Sequence, residues 1–393
     1  MNIVDYLKWR GDLSFKAAPF NDVDALVICY ASYALIDPYI REGKSYTVKE
    51  IAGKYLGDHS EEEIMNDPSL VGKAPLVLRG MAESVRFRDA VLHDFISILN
   101  DDRTEQMCAF ELDLSDGTTF IAFRGTDDTL LGWHEDFCLS YTTVDAQRSA
   151  LEYLRKHIRG HRKYRIGGHS KGGNLAIYAA LNCPEKHRRI LQVYSLDGPG
   201  LNPSFIGRDY QKNLASIKDR YIKIVPEFDV VGTIYGSGEK RKVIKSDAFT
   251  IMQHSAMSWQ VEGDHFISGT PARETELIEN GFKTFLRAAT PEQCKELTDQ
   301  LFNAFEKAGV KNVSDFARGG IPLIANTVSE FSRMNDESKK IADLLLNSFV
   351  DEYKQGIMTD TKEFGREVKE KIIEAGKKAI PAKRKASKKT NKQ

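Results

Sequence analysis

One serine stands between two glycines at the point where an apolar strand pattern changes into a helix pattern. The segment is Gly-His-Ser-Lys-Gly at 168–172, with an apolar stretch over 164–168 before it and a helix-length run over 174–181 after it. A strand–turn–helix of this kind lifts a serine hydroxyl above the edge of a sheet. The glycines leave room for the strained backbone that such a turn requires. The segment therefore predicts an open α/β sheet with Ser170 exposed as a candidate nucleophile.

Strand and helix patterns alternate on both sides of this segment. Such alternation is typical of an α/β protein with a mostly parallel central sheet covered on both faces. A turn signal over 115–117 predicts a hairpin at the start of the sheet. The predicted strands are 107–114, 118–123, 164–168, 192–196 and 220–225, and the predicted helices between them are 144–159, 174–181 and 203–217.

The pattern divides the chain into four regions. Residues 1–100 predict a helical region packed on the core, with helical spacing up to 79–100, and 101–284 predict the catalytic core. Residues 285–375 keep helical spacing without strand signals. Residues 376–393 carry eight lysines and arginines and no acidic residue, which predicts a disordered basic tail.

Composition excludes several classes of function. Lysine and arginine (56) balance aspartate and glutamate (56), so overall charge does not favour binding to nucleic acid. The five cysteines are scattered without a CxxC pair, which predicts neither a metal site nor a disulfide framework and suits a reducing compartment. The N-terminus lacks the apolar run of a secretory signal. We expect a cytoplasmic protein without metal or cofactor.

A serine nucleophile needs a histidine base and a carboxylate that orients it. In strand–turn–helix hydrolases the acid and then the histidine follow the serine along the chain. His254, in a stretch that mixes polar and bulky apolar residues, is favoured over its competitor His265. Asp229 follows the strand over 220–225 and is favoured as the acid, with Asp197 as pocket wall or reserve.

The oxyanion of an acyl-transfer intermediate needs backbone N–H donors. The N–H of Lys171, at the positive end of the following helix, is one candidate. Thr126 is the second, because it follows the strand over 118–123 through Gly125. The residues predicted to line a substrate pocket are His169, Trp133, Asp197, Met252, Met257 and Trp259.

These motifs together resemble the class 3 (fungal-type) lipases over residues 105–265. Phe-Arg-Gly-Thr at 123–126 resembles their oxyanion segment, and Gly-His-Ser-Lys-Gly their nucleophile turn. Asp-Gly-Pro-Gly at 197–200 is similar to a Gly-x-Pro stretch one strand later. Longer segments at 6–15, 19–24 and 253–263 resemble an uncharacterised bacterial branch of these hydrolases. The resemblance implies an α/β-hydrolase fold, with Asp229 and His254 as acid and base.

The expected activity is cleavage of carboxylic esters through an acyl-enzyme, on a small acyl ester or a lipid. Acyl transfer or thioester cleavage would use the same residues. A third hypothesis is a non-catalytic membrane-surface or scaffold module. It would use the C-terminal helices and the basic tail, since basic residues are attracted to anionic lipid.

Overall fold

The computed structural model describes residues 1–312 except 68, 70, 128, 140, 203–208 and 235–239, and also residues 315, 336 and 339. The predicted helical region over 313–375, apart from those three single residues, and the predicted basic tail lie outside the described residues. Within the described part of the chain, no helix combines the length and apolar character needed to cross a membrane.

An eight-stranded sheet forms the centre of the protein. Its strands lie side by side in chain order. The first four strands pair antiparallel with one another, and the pairing from the fourth strand to the eighth is parallel. The strands are β1 (Tyr46–Thr47), β2 (Val91–Asn100), β3 (Glu105–Asp113), β4 (Thr119–Arg124), β5 (Tyr164–His169), β6 (Ile190–Leu196), β7 (Tyr221–Pro226) and β8 (Arg241–Ile244).

Eleven α-helices, four short 3₁₀ helices and a small hairpin complete the elements assigned in the described residues. The helices are α1 (Ile3–Arg10), α2 (Asp22–Ala31), α3 (Val48–Asp58), α4 (Glu61–Asn66), α5 (Ala74–Glu83), α6 (Leu130–Cys138), α7 (Asp145–His157), α8 (Lys171–Leu181), α9 (Tyr210–Ile217), α10 (Arg273–Ala288) and α11 (Pro291–Lys307). The hairpin pairs β9 (Val261–Glu262) with β10 (His265–Phe266).

The predicted strands of the sheet are confirmed, as is the hairpin between β3 and β4. The helix predicted over 79–100 is confirmed only to residue 83, where α5 ends, and 91–100 is strand β2 instead. A bulge between His93 and Ile96 interrupts the pairing of β2 with β3. The extra residue interrupts the two-residue alternation of apolar side chains that is typical of a strand. The apolar residues of 91–100 therefore have a spacing that predicts a helix. The sheet therefore begins before residue 101.

Two apolar layers cover the two faces of the sheet. On one face, α1 to α5 pack in one cluster with Phe120 of β4 and Tyr194 of β6. On the other face, α7 and α8 pack with Phe123 of β4 and Ile166 of β5. Adjacent side chains of a strand point to opposite faces, so β4 supplies both layers. The N-terminal helices thus share a core with the sheet.

The segment over 19–24 forms a buried polar junction. Asn21 caps α2, and the Asp24 side chain accepts a hydrogen bond from the Asn21 backbone. Asp24 also pairs with the guanidinium of Arg86 at 2.5 Å, and both side chains are fully buried. Arg86 donates further hydrogen bonds to the carbonyls of residues 13, 18 and 19. The junction therefore joins the start of α2 and the segment before it to the segment after α5.

The described part of the C-terminal region packs on α6. Phe302 of α11 and Val310 form an apolar cluster with Leu130, and Trp133 packs against it. The N–H of Leu130 donates to the carbonyl of Lys311 at 2.9 Å. Residues 291–312 therefore cover the helix that follows β4.

Candidate active site

Ser170 lies in a strained turn between β5 and α8. Its backbone has φ 57° and ψ −132°, in a region that side-chain-bearing residues rarely adopt. Its N–H donates to the carbonyl of Leu196 at 2.9 Å, and its carbonyl accepts from the N–H of Gly173 at 2.9 Å. The Ser170 side chain is only partly buried. The turn therefore holds a serine hydroxyl at the carboxyl edge of the parallel strands.

Three glycines let the backbone close around this serine. A Cβ on Gly168 would collide with the backbone of Gly172, and a Cβ on Gly172 would collide with the carbonyl of Phe123. A Cβ on Gly125 would lie 3.2 Å from Ser170 Cβ and would collide with the carbonyl of His169. The loop after β4 and the turn after β5 are thus in direct backbone contact.

His254 pairs with Asp197. The distance from His254 Nδ1 to Asp197 Oδ2 is 2.6 Å, and the Asp197 side chain is buried. Asp197 follows β6 directly, with φ 49°. Burial opposes its ionisation, but the charge of His254 and the hydrogen bond from it hold the pKa of Asp197 below its ordinary value. The pair has the arrangement of a base and its orienting acid.

The predicted pairing of Asp229 with His254 is not the one that the structure contains. Asp229 is buried, and its Oδ1 accepts from the N–H of Thr233 at 3.2 Å. The order of the strands gives the physical reason. Asp197 follows β6, the direct neighbour of β5, whereas Asp229 follows β7, one strand further from Ser170. Both aspartates lie at the predicted edge, but the nearer one contacts the histidine.

His169 connects the serine turn to the loop that carries His254. Its Nε2 lies 2.9 Å from the carbonyl of His254, and its Nδ1 lies 3.1 Å from the hydroxyl of Tyr33. The two histidine rings lie 4.7 Å apart. Burial and the nearby His254 lower the pKa of His169 to about 3, so the ring is neutral at pH 7. His169 was predicted as a pocket residue; it is buried, and it contacts the backbone of His254.

Trp259 packs against the loop that carries His254. It is fully buried, and its Nε1–H donates to the carbonyl of Gln253 at 2.9 Å. Met257 is partly buried against the same core. Trp133, also predicted as a pocket residue, packs against the C-terminal cluster with Phe302. Of the bulky residues predicted for the pocket, Met252 is half exposed beside His254.

The competitor histidine lies elsewhere. His265 is exposed in the β9–β10 hairpin, where its Nδ1 lies 3.3 Å from Asp264. This solvated pairing gives it no contact with the serine turn among those described.

Thr126 is held by an acidic residue that the sequence reasoning missed. Its hydroxyl donates to Asp136 of α6 at 2.5 Å. Because Gly125 touches the serine turn, this bond fixes the backbone next to Ser170. Acidic side chains in the apolar helix pattern of 130–138 were the signal that could have found it.

Lys171 directs its side chain away from the exposed site. Its buried Nζ pairs with Glu135 Oε2 at 2.9 Å. Glu135 also accepts from the backbone N–H groups of Gln106 at 3.0 Å and Ala146 at 3.1 Å. The N–H of Lys171 belongs to the first turn of α8, where N–H groups have no acceptor within the helix. The predicted oxyanion role through its backbone is thus compatible with this geometry.

Asp136 is expected to make stability depend on pH. Burial raises its pKa to about 6, against the opposing charge of Lys171 and the hydrogen bond from Thr126. The folded protein therefore retains a proton that the unfolded chain loses near pH 4. The resulting stabilisation is full below about pH 4 and falls by about 2–3 kcal/mol in total as the pH rises through 6, with about 1–2 kcal/mol of this loss between pH 5 and pH 8.

An Asp136→Asn variant should remove this component, because asparagine does not titrate. Urea unfolding at pH 5 and pH 8 measures it, with Asp264→Asn as the matched exposed control. An Asp136→Asn variant with the same pH difference as the wild type would contradict the assignment.

Among the described residues, one group away from this site could hold a metal ion. Donor atoms of His93, Asp94 and Glu111 lie within 4.8 Å of one another. They are engaged in ion pairs, including His157 with Glu111 at 2.8 Å and Arg159 with Asp94 at 3.6 Å. The ion pairs account for the cluster without a metal.

Comparisons with known proteins add a family and two structural similarities. A family model described as Mbeg1-like matches residues 81–303. No curated protein matches the chain. A structure titled as the crystal structure of M37 lipase is similar at 16% identity and a TM-score of 0.34, over 55% of this chain and 70% of that one. Lipase II from Rhizopus niveus is similar at 16% identity and a TM-score of 0.28, over 39% of this chain and 66% of that one.

Proposed function

Since the chain belongs to the Mbeg1-like family, a lipase class 3-like family with the α/β-hydrolase fold, we propose that it is a serine hydrolase of carboxylic esters. The observation that carries the proposal is the strained backbone of Ser170 at the end of β5, together with a His254–Asp197 pair whose histidine contacts His169, the residue next to Ser170. A lipase-like hydrolase is what the family indicates, and this geometry supports the ester chemistry.

The proposed reaction begins with attack of Ser170 Oγ on the acyl carbonyl. Nδ1 of His254 is occupied by Asp197, so Nε2 is the nitrogen that accepts the serine proton and returns it to the leaving alcohol. The acyl group then rests on Ser170 as an ester. Water attacks this ester with His254 again as the base, which releases the carboxylic acid.

The developing oxyanion is stabilised by backbone N–H groups of Lys171 and Thr126. The positive end of α8 adds to this stabilisation. Asp136 and Glu135 hold the two donor segments in place, through the Thr126 hydroxyl and the Lys171 ammonium. Because both supports are already formed without substrate, the donors need little reorganisation during the reaction.

Apolar side chains beside His254 favour an acyl chain as part of the substrate. Phe249 is 84% exposed and Met252 is 50% exposed, both within five residues of the proposed base. Large apolar groups that remain exposed often mark a surface that binds a ligand or lipid. We propose that they contact the acyl chain of the ester.

Labelling with a fluorophosphonate tests the reaction type. The wild-type protein should gain one adduct, which peptide mass spectrometry places on Ser170, and His254→Ala should label far more slowly. Ser97→Ala, an exposed serine on β2, is the matched control and should label as the wild type does. A folded wild-type protein that does not label at Ser170 would refute the proposed function.

The acyl-chain contact predicts a dependence on chain length. Replacing Phe249 and Met252 with serine removes apolar contact area worth about 1–2 kcal/mol in total, so KM for long-chain p-nitrophenyl esters should rise about 5–30-fold. KM for the acetate ester should change little, because its chain is too short to reach them. Leu99→Ser, at an exposed leucine of β2, is the control. An equal rise in KM for all chain lengths would contradict the contact.

A further inference from the structure

The Asp197 carboxylate faces a second buried carboxyl group on the side opposite His254. Asp197 Oδ1 and Asp229 Oδ2 are both buried, and neither receives a hydrogen bond from the described donor groups. A Cβ built on Gly232 would lie 2.9 Å from Asp197 Oδ1 and 2.9 Å from each carboxyl oxygen of Asp229. Oxygen atoms of both carboxyl groups therefore surround the position that a side chain at residue 232 would occupy, and the glycine lets the two groups lie next to each other.

Neither Lys223 nor Arg241, the two cationic side chains near Asp229, donates a hydrogen bond to either carboxyl group. Lys223 Nζ donates to the carbonyl of Gly232 at 2.8 Å. Arg241 pairs with Glu279 at 3.4 Å and approaches Asp229 Oδ2 only to 3.9 Å, which is too long for a hydrogen bond. On the other side, His169 is neutral because burial lowers its pKa to about 3.

Two ionised carboxylates in buried contact repel each other, so such pairs commonly retain one proton. His254 identifies the carboxylate that stays ionised, because its Nδ1 hydrogen bonds to Asp197 at 2.6 Å. Burial and the neighbouring charge of Asp197 raise the pKa of Asp229 well above its ordinary value, against the weaker effects of Lys223 and Arg241. The shared proton thus belongs on Asp229.

We propose that Asp229 is a positioning residue whose protonated carboxyl group donates a hydrogen bond to Asp197 Oδ1. Asp197 then receives one hydrogen bond on each oxygen, from Asp229 and from His254. Two such hydrogen bonds fix the rotation of the Asp197 carboxylate. The fixed carboxylate in turn holds the His254 ring in one orientation. The effect of Asp229 on kcat rests on the proposed function, whereas the assignment of a proton to Asp229 does not depend on it.

Two substitutions of Asp229 separate this role from that of an ionised acid. Asparagine keeps a donor toward Asp197 and an acceptor toward Thr233, so Asp229→Asn should keep kcat within about tenfold of the wild type. Alanine leaves Asp197 Oδ1 without a donor, so Asp229→Ala should lower kcat about 10–100-fold. Asp264→Asn, at an exposed aspartate, controls for the exchange itself.

Infrared spectroscopy observes the proton directly. The wild-type protein at neutral pH should show the C=O stretching band of a buried protonated carboxyl group, in the difference spectrum against Asp229→Asn. The band should be retained in Ser170→Ala. Far-UV circular dichroism of each variant shows whether it is folded. The infrared band is a second readout besides kcat, and it does not require activity.

Two results would contradict the assignment of a proton to Asp229. Absence of the acid band from the folded wild-type protein would overturn the proposal. So would a loss of kcat in folded Asp229→Asn as large as that in Asp197→Asn, because it would show that Asp229 is needed as an anion. If Ser170 fails to label but the acid band is present, the proposed function fails while the proton assignment stands.

Discussion

Replacing Ser170 with alanine is expected to lower kcat for a p-nitrophenyl ester by about 10⁶-fold. Such a loss follows when the nucleophile of a serine hydrolase is removed, because only oxyanion stabilisation and substrate binding remain. The backbone of the turn should keep its conformation, because Gly168 and Gly172 are in close backbone contact across it. The chain should therefore keep its fold while it loses its chemistry.

The double variant Ser170→Ala/His254→Ala makes this test sharper. Residues that act as one unit lose activity together, so the double variant should be hardly slower than Ser170→Ala alone. Initial rates at saturating substrate give kcat, and thermal unfolding verifies the fold. Multiplicative losses would contradict the proposal that both residues act in the same step. Ser97→Ala, on β2, is the control for a serine outside the site.

Replacing Asp197 with asparagine is expected to lower kcat by about 10⁴-fold. An asparagine would hold His254 in the wrong tautomer, because its amide donates where the carboxylate accepted from Nδ1. The charge that stabilises the imidazolium during proton transfer would also be lost. The 2.6 Å contact of Asp197 with His254 makes Asp197 the position at which this effect should be largest among the two candidate acids.

A pH profile distinguishes this loss from simple damage to the fold. In the wild type, the charge of His254 and the hydrogen bond from it hold the pKa of Asp197 below its ordinary value, so kcat/KM should not fall through protonation of Asp197 until the pH is below the pKa of a free aspartate. Asparagine carries no charge at any pH, so the loss in Asp197→Asn should be the same across the neutral range, while thermal unfolding shows an intact fold. A kcat of Asp197→Asn near the wild-type value would exclude Asp197 as the acid.

Much of the fold could be predicted from the sequence because local patterns encode it. The sequence patterns predicted strands β3 to β7, the hairpin turn over 115–117 and the helix after Ser170. The main failure was β2, where a bulge near His93 replaced a clean alternation with a misleading period. The sequence pattern predicted the type of most elements, but it did not predict the irregular pairing of β2.

The site divides in a similar way. Ser170 and Thr126 were named from motifs, since glycine spacing and strand ends are local features. Asp136 and the pairing of Lys171 with Glu135 were not, because they join α6 to segments far along the chain. Nothing in a linear pattern states which side chains of α6 point toward the serine turn.

The sequence by itself determined the serine turn, the alternating elements and the chain order of the groups that surround Ser170. Only the tertiary structure decided between Asp197 and Asp229 as the partner of His254. Both aspartates follow strands that end at the same edge, so their local patterns are equivalent. Their distance from the histidine depends instead on strand order and on the backbone turn at Asp197, where φ is 49°. Contacts between distant segments set this geometry, and no short stretch of sequence contains them.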